Sequence, residues 1–315
     1  AVRAGRAGAV PAAAEGRTPV IRDLVSELRP RQWTKNLLLF AGVLFSRQAD
    51  DPTLLLRAGV GFVAFSLLAG AVYLLNDLRD VAQDRLHPRK RERPIASGRL
   101  PAAAAWAAAA VLLAAVAALT VWLGTPFALA AGGYLLLNAA YSLWLRDRVL
   151  LDVFSIAFGF VVRAIAGVEL LRPVAPATEL SPWLLVCTFF GALFLGLGKR
   201  HRELASAGAE AGQRRAVLAR YSPALLEGLL HITAAASIMG YALYTIWPDT
   251  VRKFDTQALL YTVPFVTYGI FRYLYVVRVS ETAEDPSRVL LTDRPLLGCV
   301  LAYLVVVAVI LYTHG

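Results

Sequence analysis

At 315 residues, 58% hydrophobic and with a mean hydropathy of +0.58, the chain is too apolar for a soluble domain of its size. Its uncharged stretches of about 18 to 25 residues recur along the length, which only a polytopic helical membrane protein explains. The 32 Lys and Arg against 22 Asp and Glu give a formal charge of +10, which suits anionic lipid or a polyphosphate substrate; nucleic acid is the poorest partner, since no soluble binding module accompanies the charge.

In chain order, residues 1–20 carry Ala, Gly, Arg and Pro without an apolar core and read as a disordered tail, not a cleavable signal. Residues 21–315 are expected to form one transmembrane catalytic domain, an all-α polytopic bundle of about nine helices. The spans fall at 36–46 (short, extended by its flank), 54–78, 101–124, 126–145, 149–171, 181–198, 222–246, 257–277 and 295–313. Lys and Arg number seven before the first span, seven at 79–100, two at 146–148, six at 199–220 and three at 278–294, while the opposite loops hold only Arg47, Arg57, Arg172, Arg252 and Lys253. The positive-inside rule then places the N-terminus and the cap loops near 79–100 and 199–221 in the cytoplasm and the C-terminus outside.

The second span ends in Asn76-Asp77-Leu78-Arg79-Asp80-Val81-Ala82-Gln83-Asp84. At about 100° per residue, Asn76, Asp80, Asp84 and Asp77 fall at roughly 0°, 40°, 80° and 100°, on one helical face. Carboxylates crowded in this way repel unless a cation sits among them, and an all-oxygen set suits Mg²⁺ bridging to substrate phosphates. A solvated helix end with scattered acids is the plain alternative. The loop that follows, His87 to Gly98, packs four Lys and Arg and a histidine around two prolines and a closing glycine; the backbone must turn there and can present Lys90 and Arg93 as a cap, or serve only to set topology.

The Ala- and Gly-rich span at 101–124 has no charge and is expected to pack or face lipid. Tyr141 and Arg146 close the fourth span, where they could bind phosphate or merely anchor the interface. Arg163 lies mid-span on one stripe with Asp152, Ser155, Gly159 and Gly167, a face expected to look into the bundle. Asp152 is expected near substrate; an ion pair that only holds the bundle is the other reading for Arg163. Gly198-Lys199-Arg200-His201-Arg202-Glu203 opens the second loop with Lys199 and Glu203 as i, i+4 neighbours, either an intrahelical pair or a phosphate-binding counterpart to the first motif. Glu227 with His231 reads as structural, and Arg272 with Tyr268 and Tyr275 as either anchor or phosphate contact. His87, His201 and His314 lack metal-ligand spacing. Cys187 and Cys299 lie in predicted spans and read as small core residues.

With these residues in place, the chain from about Leu28 onward resembles the UbiA superfamily of intramembrane prenyltransferases. The hallmark N-D-x-x-D-x-x-x-D is matched at Asn76, Asp77, Asp80 and Asp84. The stretches Leu28 to Asn36, His87-Pro88 through Arg93 to Gly98, Tyr141 to Arg146 with Asp152, and Gly198-Lys199-Arg200 with Glu203 are similar to the actinobacterial branch that transfers 5-phosphoribose from phosphoribosyl pyrophosphate to a polyprenyl (decaprenyl) phosphate. The resemblance implies a Mg²⁺-dependent transferase supplying a cell-wall arabinan precursor, in the plasma membrane, with its site facing the cytoplasm. It implies metal ligands at Asn76, Asp80 and Asp84, catalytic roles for Asp77, Asp80, Asp84 and Asp152, and substrate contacts from Lys35, Lys90, Arg93, Tyr141, Arg146, Lys199, Arg200 and Glu203; Arg163 joins the expected substrate contacts on its mid-span position alone. Where prenyl-diphosphate members carry a second D-x-x-x-D, this chain has Lys199 and Glu203, and Arg146 stands where this branch has lysine. Transfer of a prenyl chain to an aromatic or other acceptor is the rival activity. A transporter ranks below both, because the acids gather at one membrane face and not at the midplane. Self-association into a homo-oligomer stays open.

Overall fold

The computed structural model describes residues 20–44, 46, 50–86, 90–207, 217–279 and 286–313. All described secondary structure is helical. A short helix α1 (Val20–Glu27) leads into a 3₁₀ helix (Pro30–Phe40) and a single turn α2 (Ala41–Leu44); the long α3 (Pro52–Arg79) is followed by the short α4 (Val81–Leu86). Then come α5 (Ala102–Leu123), α6 (Thr125–Leu143), α7 (Leu151–Glu169), α8 (Pro182–Ala207) and α9 (Pro223–Ile246). The chain closes with α10 (Pro248–Phe254), α11 (Val263–Val279), α12 (Pro286–Thr292) and α13 (Arg294–Thr313).

Six of these helices, α3, α5, α7, α8, α9 and α13, are long and apolar enough to cross a membrane by length and composition. The expected fourth and eighth spans are present as the 19-residue α6 and 17-residue α11. The expected first span is short and mostly 3₁₀, with a single α-helical turn at its end. Its 3₁₀ stretch of 11 residues and α-turn of 4 rise roughly 28 Å, because a 3₁₀ helix gains about 2.0 Å per residue against 1.5 Å for an α-helix. Two glycines let this segment press onto α7. A Cβ on Gly42 would lie 2.2 Å from the Gly167 carbonyl oxygen, and one on Gly167 2.5 Å from that of Leu39. The second expected loop is shorter than the sequence implied, since α8 runs on to Ala207 and carries Lys199 to Glu203 as helix.

The bundle is apolar outside as well as inside. Trp106, Val121, Trp122, Leu129 and Leu136 point outward from α5 and α6, as lipid-facing helices require. Even α1 is inverted: Val20, Ile21 and Val25 are exposed while Asp23 and Glu27 are buried. The two largest buried clusters flank the middle of the bundle. Leu39, Phe65, Leu68, Phe127, Tyr134 and Leu170 join the 3₁₀ segment, α3, α6 and α7; Val153, Phe194, Leu197, Leu226, Leu230, Tyr273 and Leu296 join α7, α8, α9, α11 and α13. A cavity remains between them.

Candidate active site

The acidic motif sits where α3 gives way to α4. Asp80 leaves helical geometry at φ −93°, ψ 9°, yet its N–H still bonds the Asn76 carbonyl (3.0 Å) and the Asp84 N–H bonds the Asp80 carbonyl (2.8 Å). The helical register, and with it the shared face, therefore survives the break. The side chains are held apart by arginines. Asp77 is gripped by Arg29 and by Arg93 (2.9 Å), Asp84 by Arg93 (2.7 Å) with Lys90 at 3.7 Å, and Asp80 by Arg146 (2.7 Å). Asn76 Oδ1 accepts from Ser142 Oγ at 2.6 Å. Among the described residues no three His, Cys, Asp or Glu side chains converge as a ready metal cluster, so the crowding expected of the bare acids is relieved here by guanidinium groups. As chemistry the oxygen donors still fit Mg²⁺: Asn76, Asp77 and Asp80 all border the cavity with Gln83 beside them.

The loop over this motif is strapped down rather than free. Arg99 pairs with Asp23 (3.3 Å), the Ile95 N–H donates to Glu27 (3.0 Å), Arg85 donates to the Ala96 carbonyl (3.0 Å), and Gly98 closes the turn at φ +81°. His87, Pro88 and Arg89 lie outside the described residues, as do 1–19, 208–216 and His314. Burial, followed by a hydrogen bond to Asp77, pushes the Glu27 carboxyl up to about 7. Arg29, whose guanidinium lies 4.6 Å from the Tyr73 ring centroid, adopts a left-handed backbone (φ 51°), an uncommon conformation for a side chain of this size.

The cavity measures about 1030 Å³ and has two characters. At its mouth stand Lys35, Lys90, Arg93, Tyr141, Arg146 and Lys199 around the acids, with Arg163 deeper. Its far wall is apolar, built from Phe194 and Leu195 of α8, Val266 and Ile270 of α11, and Val300 of α13. Ten of the expected site residues are thus brought together on one surface: Asn76, Asp77, Asp80, Lys35, Lys90, Arg93, Tyr141, Arg146, Arg163 and Lys199.

Four others stand behind that surface. Asp84 faces Arg93 and Lys90 and does not line the cavity. Asp152, expected near substrate, is fully buried with both oxygens engaged, accepting from Arg200 Nε (2.6 Å) and from Tyr221 Oη (2.7 Å). Arg200 also binds Glu203, which in turn lies 3.8 Å from Lys199. Tyr221 Oη accepts from the Leu150 N–H (2.8 Å), pinning a residue at φ 67° at the start of α7. Both residues of the α7 stripe look inward as expected, but Arg163 has no ion pair among the described residues; it donates to Asn36, to Tyr134 and to the Gly159 carbonyl of α7. The remaining polar sites are tied to neighbours: Arg278 bridges Glu227 (2.6 Å) and His231 (3.1 Å), and Arg272 holds Asp293 at 3.0 and 2.9 Å. Cys187 and Cys299 are free thiols.

Sequence reasoning passed over Arg29, Glu27, Asn36, Tyr134 and Tyr221. Arg29 and Asn36 lie in the Leu28-to-Asn36 stretch that carried the resemblance. Tyr134, Asn138 and Tyr141 follow i, i+4, i+7 on an otherwise apolar helix and share the cavity face, a periodic signal that was available.

A membrane-embedded bundle with an acid-and-arginine mouth opening onto an apolar wall defines a polytopic enzyme for an amphiphilic, anionic substrate. Comparisons place it more narrowly. The model of the UbiA prenyltransferase family matches residues 37–292. The chain is 33% identical over 302 residues to decaprenyl-phosphate phosphoribosyltransferase of Mycolicibacterium smegmatis, covering 93% of each protein. It is 34% identical over 293 residues to the Mycobacterium tuberculosis protein of the same name, covering 91% of this chain and 94% of that one. A solved UbiA homolog from Archaeoglobus fulgidus, bound to DMAPP and Mg²⁺, superposes with a TM-score of 0.70 at 18% identity over 92% of this chain and 99% of that one. The chain belongs to the UbiA prenyltransferase family.

Proposed function

We propose that the protein transfers 5-phosphoribose from phosphoribosyl pyrophosphate to a polyprenyl phosphate, releasing pyrophosphate, at a site facing the cytoplasm from the inner (plasma) membrane. The product would serve as a cell-wall arabinan precursor. The observation that carries this reading is the single cavity in which carboxylates, at least six cations and an apolar wall meet, since the reaction needs all three at once. Near full-length similarity to proteins named decaprenyl-phosphate phosphoribosyltransferase supports the choice of substrates.

Little protein basicity is required, because the attacking oxygen of a lipid phosphate is already ionised. Charge control remains. Asn76, Asp77 and Asp80 would hold Mg²⁺, with Asp84 acting from behind through Arg93 and Lys90; the ion supplies neutralisation of pyrophosphate as the C1–O bond weakens. Arg29, Arg93 and Arg146 would exchange their carboxylate partners for phosphate oxygens as substrate binds, leaving the carboxylates to the ion they would hold. Lys35 and Lys199 complete the phosphate shell, and Tyr141 donates a hydrogen bond to it. As the ribose passes through an oxocarbenium-like state, the nearest carboxylates are those of the mouth, Asp77 and Asp80, and not the sealed Asp152. The prenyl tail lies along Leu195, Ile270 and Val300.

The test is incubation of the purified protein with ribose-labelled phosphoribosyl pyrophosphate and a polyprenyl phosphate. Label should appear in the lipid fraction in a Mg²⁺-dependent manner. Label confined to the aqueous phase would sink the reading and favour prenyl transfer to another acceptor.

A further inference from the structure

Besides Arg200, which Asp152 neutralises, two arginines are buried in the spanning helices, Arg57 and Arg163, each 5% exposed. Neither has a carboxylate within ion-pair distance among the described residues. A guanidinium at membrane depth must have its charge answered by something. For Arg57 the answer is local. Its Nε donates to the Leu170 carbonyl (2.6 Å) and a terminal nitrogen donates to that of Leu123; these carbonyls end α7 and α5, where each helix dipole leaves about half a negative charge. Arg57 does not line the cavity.

Arg163 meets no helix end and no anion among the described residues; the rings of Tyr134 and Phe160, with centroids 4.6 and 5.4 Å from its guanidinium carbon, soften its charge without cancelling it. It donates to Asn36 Oδ1, to the Gly159 carbonyl and to Tyr134 Oη, each at 2.8 Å, and all three partners are neutral. Gly159 lies within α7, away from the helix end. Asn36 is itself fixed by Ser66 at 3.0 Å, so the guanidinium cannot swing without breaking buried bonds. Three of its five N–H donors are used, leaving two. The side chain borders the cavity roughly 18 Å along α7 from its first residue.

We infer that Arg163 is a phosphate seat deep in the cavity, taking a phosphate monoester dianion whose charge completes its own. The inference rests on the phosphoribosyl-transfer reading and deepens it. That reaction offers two groups of this chemistry, the 5-phosphate of the donor and the phosphate of the acceptor lipid. Arg57, equally buried but answered by helix ends, has no such role.

The experiment uses the full chain in nanodiscs, wild type against Arg163→Gln and Arg163→Lys. KM is measured for each substrate, and again with ribose 1-diphosphate, a donor lacking the 5-phosphate. Losing a charge-assisted pair should raise one KM at least about tenfold in the Gln variant, with partial rescue by Lys. A rise for phosphoribosyl pyrophosphate that vanishes with the truncated donor assigns the 5-phosphate. A rise confined to polyprenyl phosphate assigns the lipid. Both KM values within about twofold of wild type in a folded Gln variant would overturn the inference. If the Gln variant does not fold, the charge-retaining Lys variant decides on the same two KM values: a severalfold rise in one supports the seat, and none rejects it. Equilibrium binding of each labelled substrate separates this from the wider reading, because loss of wild-type transfer with Arg163-dependent phosphate binding intact sinks only the latter.

Discussion

Two groups of ion pairs, one at the mouth of the cavity and one behind it, use the same residue types for opposite purposes. At the mouth, the side chains of Arg29, Arg93 and Arg146 are 28, 29 and 25% exposed; they hold Asp77 and Asp80 on the cavity surface, and Arg93 reaches back to Asp84 just behind it. Behind it, Arg200 and Asp152 are 1% and 0% exposed and are closed over by Tyr221 and Glu203. A guanidinium that borders water can change partners at less cost, whereas separating a pair sealed on both sides strands a charge at a cost of about 3–5 kcal/mol. The mouth is thus built for exchange with a phosphate, and the rear group for holding α7 against α8. Its reach toward substrate is indirect: Arg200 fixes Glu203, and Glu203 neighbours Lys199 at the cavity surface.

The largest expected effect breaks the mouth. Asp80→Asn removes one ligand charge while leaving the shape, and should lower the initial transfer rate by about 10³-fold, the several kcal/mol that cation-assisted stabilisation supplies. Its melting temperature in detergent should stay close to wild type, since the Asp80–Arg146 pair is partly exposed. Wild-type rates with an unchanged Mg²⁺ requirement would remove the acids from the chemistry. Next comes the rear. Asp152→Asn should destabilise by about 3–5 kcal/mol, read by chemical denaturation in micelles, because Arg200 loses its buried counter-charge. Activity per folded molecule should fall far less than in Asp80→Asn. A stable Asp152→Asn protein with a thousandfold rate loss would erase the distinction between the two groups.

How far the sequence foretold this arrangement differs between mouth and rear. Hydropathy and positive charge marked the long helices to within a few residues at most ends, because burial in lipid imposes long uncharged runs. The mouth was legible too, since Asn76 to Asp84 keeps helical spacing and the prolines after it demand a turn. The rear was not. Asp152 and Arg163 share a stripe on α7, and periodicity says only that both look inward; three-dimensional packing is needed to show Arg200 and Tyr221 reaching Asp152 from α8 and the loop beyond it. The 3₁₀ segment escaped for a related reason: its geometry follows from the contact of Gly42 and Leu39 with Gly167, residues more than a hundred positions away.

Glu27 sharpens the comparison from the cap side. Its carboxyl, raised from 4.5 to about 7 by burial and by Asp77, holds a proton in the folded protein that the unfolded chain releases. The stability this confers is complete below about pH 4.5 and is lost as pH rises through about 7. Glu27→Gln keeps the neutral shape at every pH, so thermal unfolding followed from about pH 5 to 8 should show a shallower decline than wild type. Identical slopes in the two proteins would mean that Glu27 is ionised throughout.

The smallest effect belongs to Tyr221→Phe, and it asks whether the rear group acts by geometry as well as by charge. The ring would still fill its place, but the Leu150 N–H would lose its acceptor and one Asp152 oxygen its donor. Two weakened groups with the ion pair intact should cost about 1–3 kcal/mol of stability, less than Asp152→Asn. The Leu150 turn, at φ 67°, would also lose the bond that pins it at the head of α7. Since α7 carries Arg163 into the cavity, any loosening should appear as a modest rise in KM with kcat nearly unchanged. A Tyr221→Phe protein as stable as wild type but with kcat strongly reduced would instead put the phenol in the reaction, and the wall between mouth and rear would have to be drawn elsewhere.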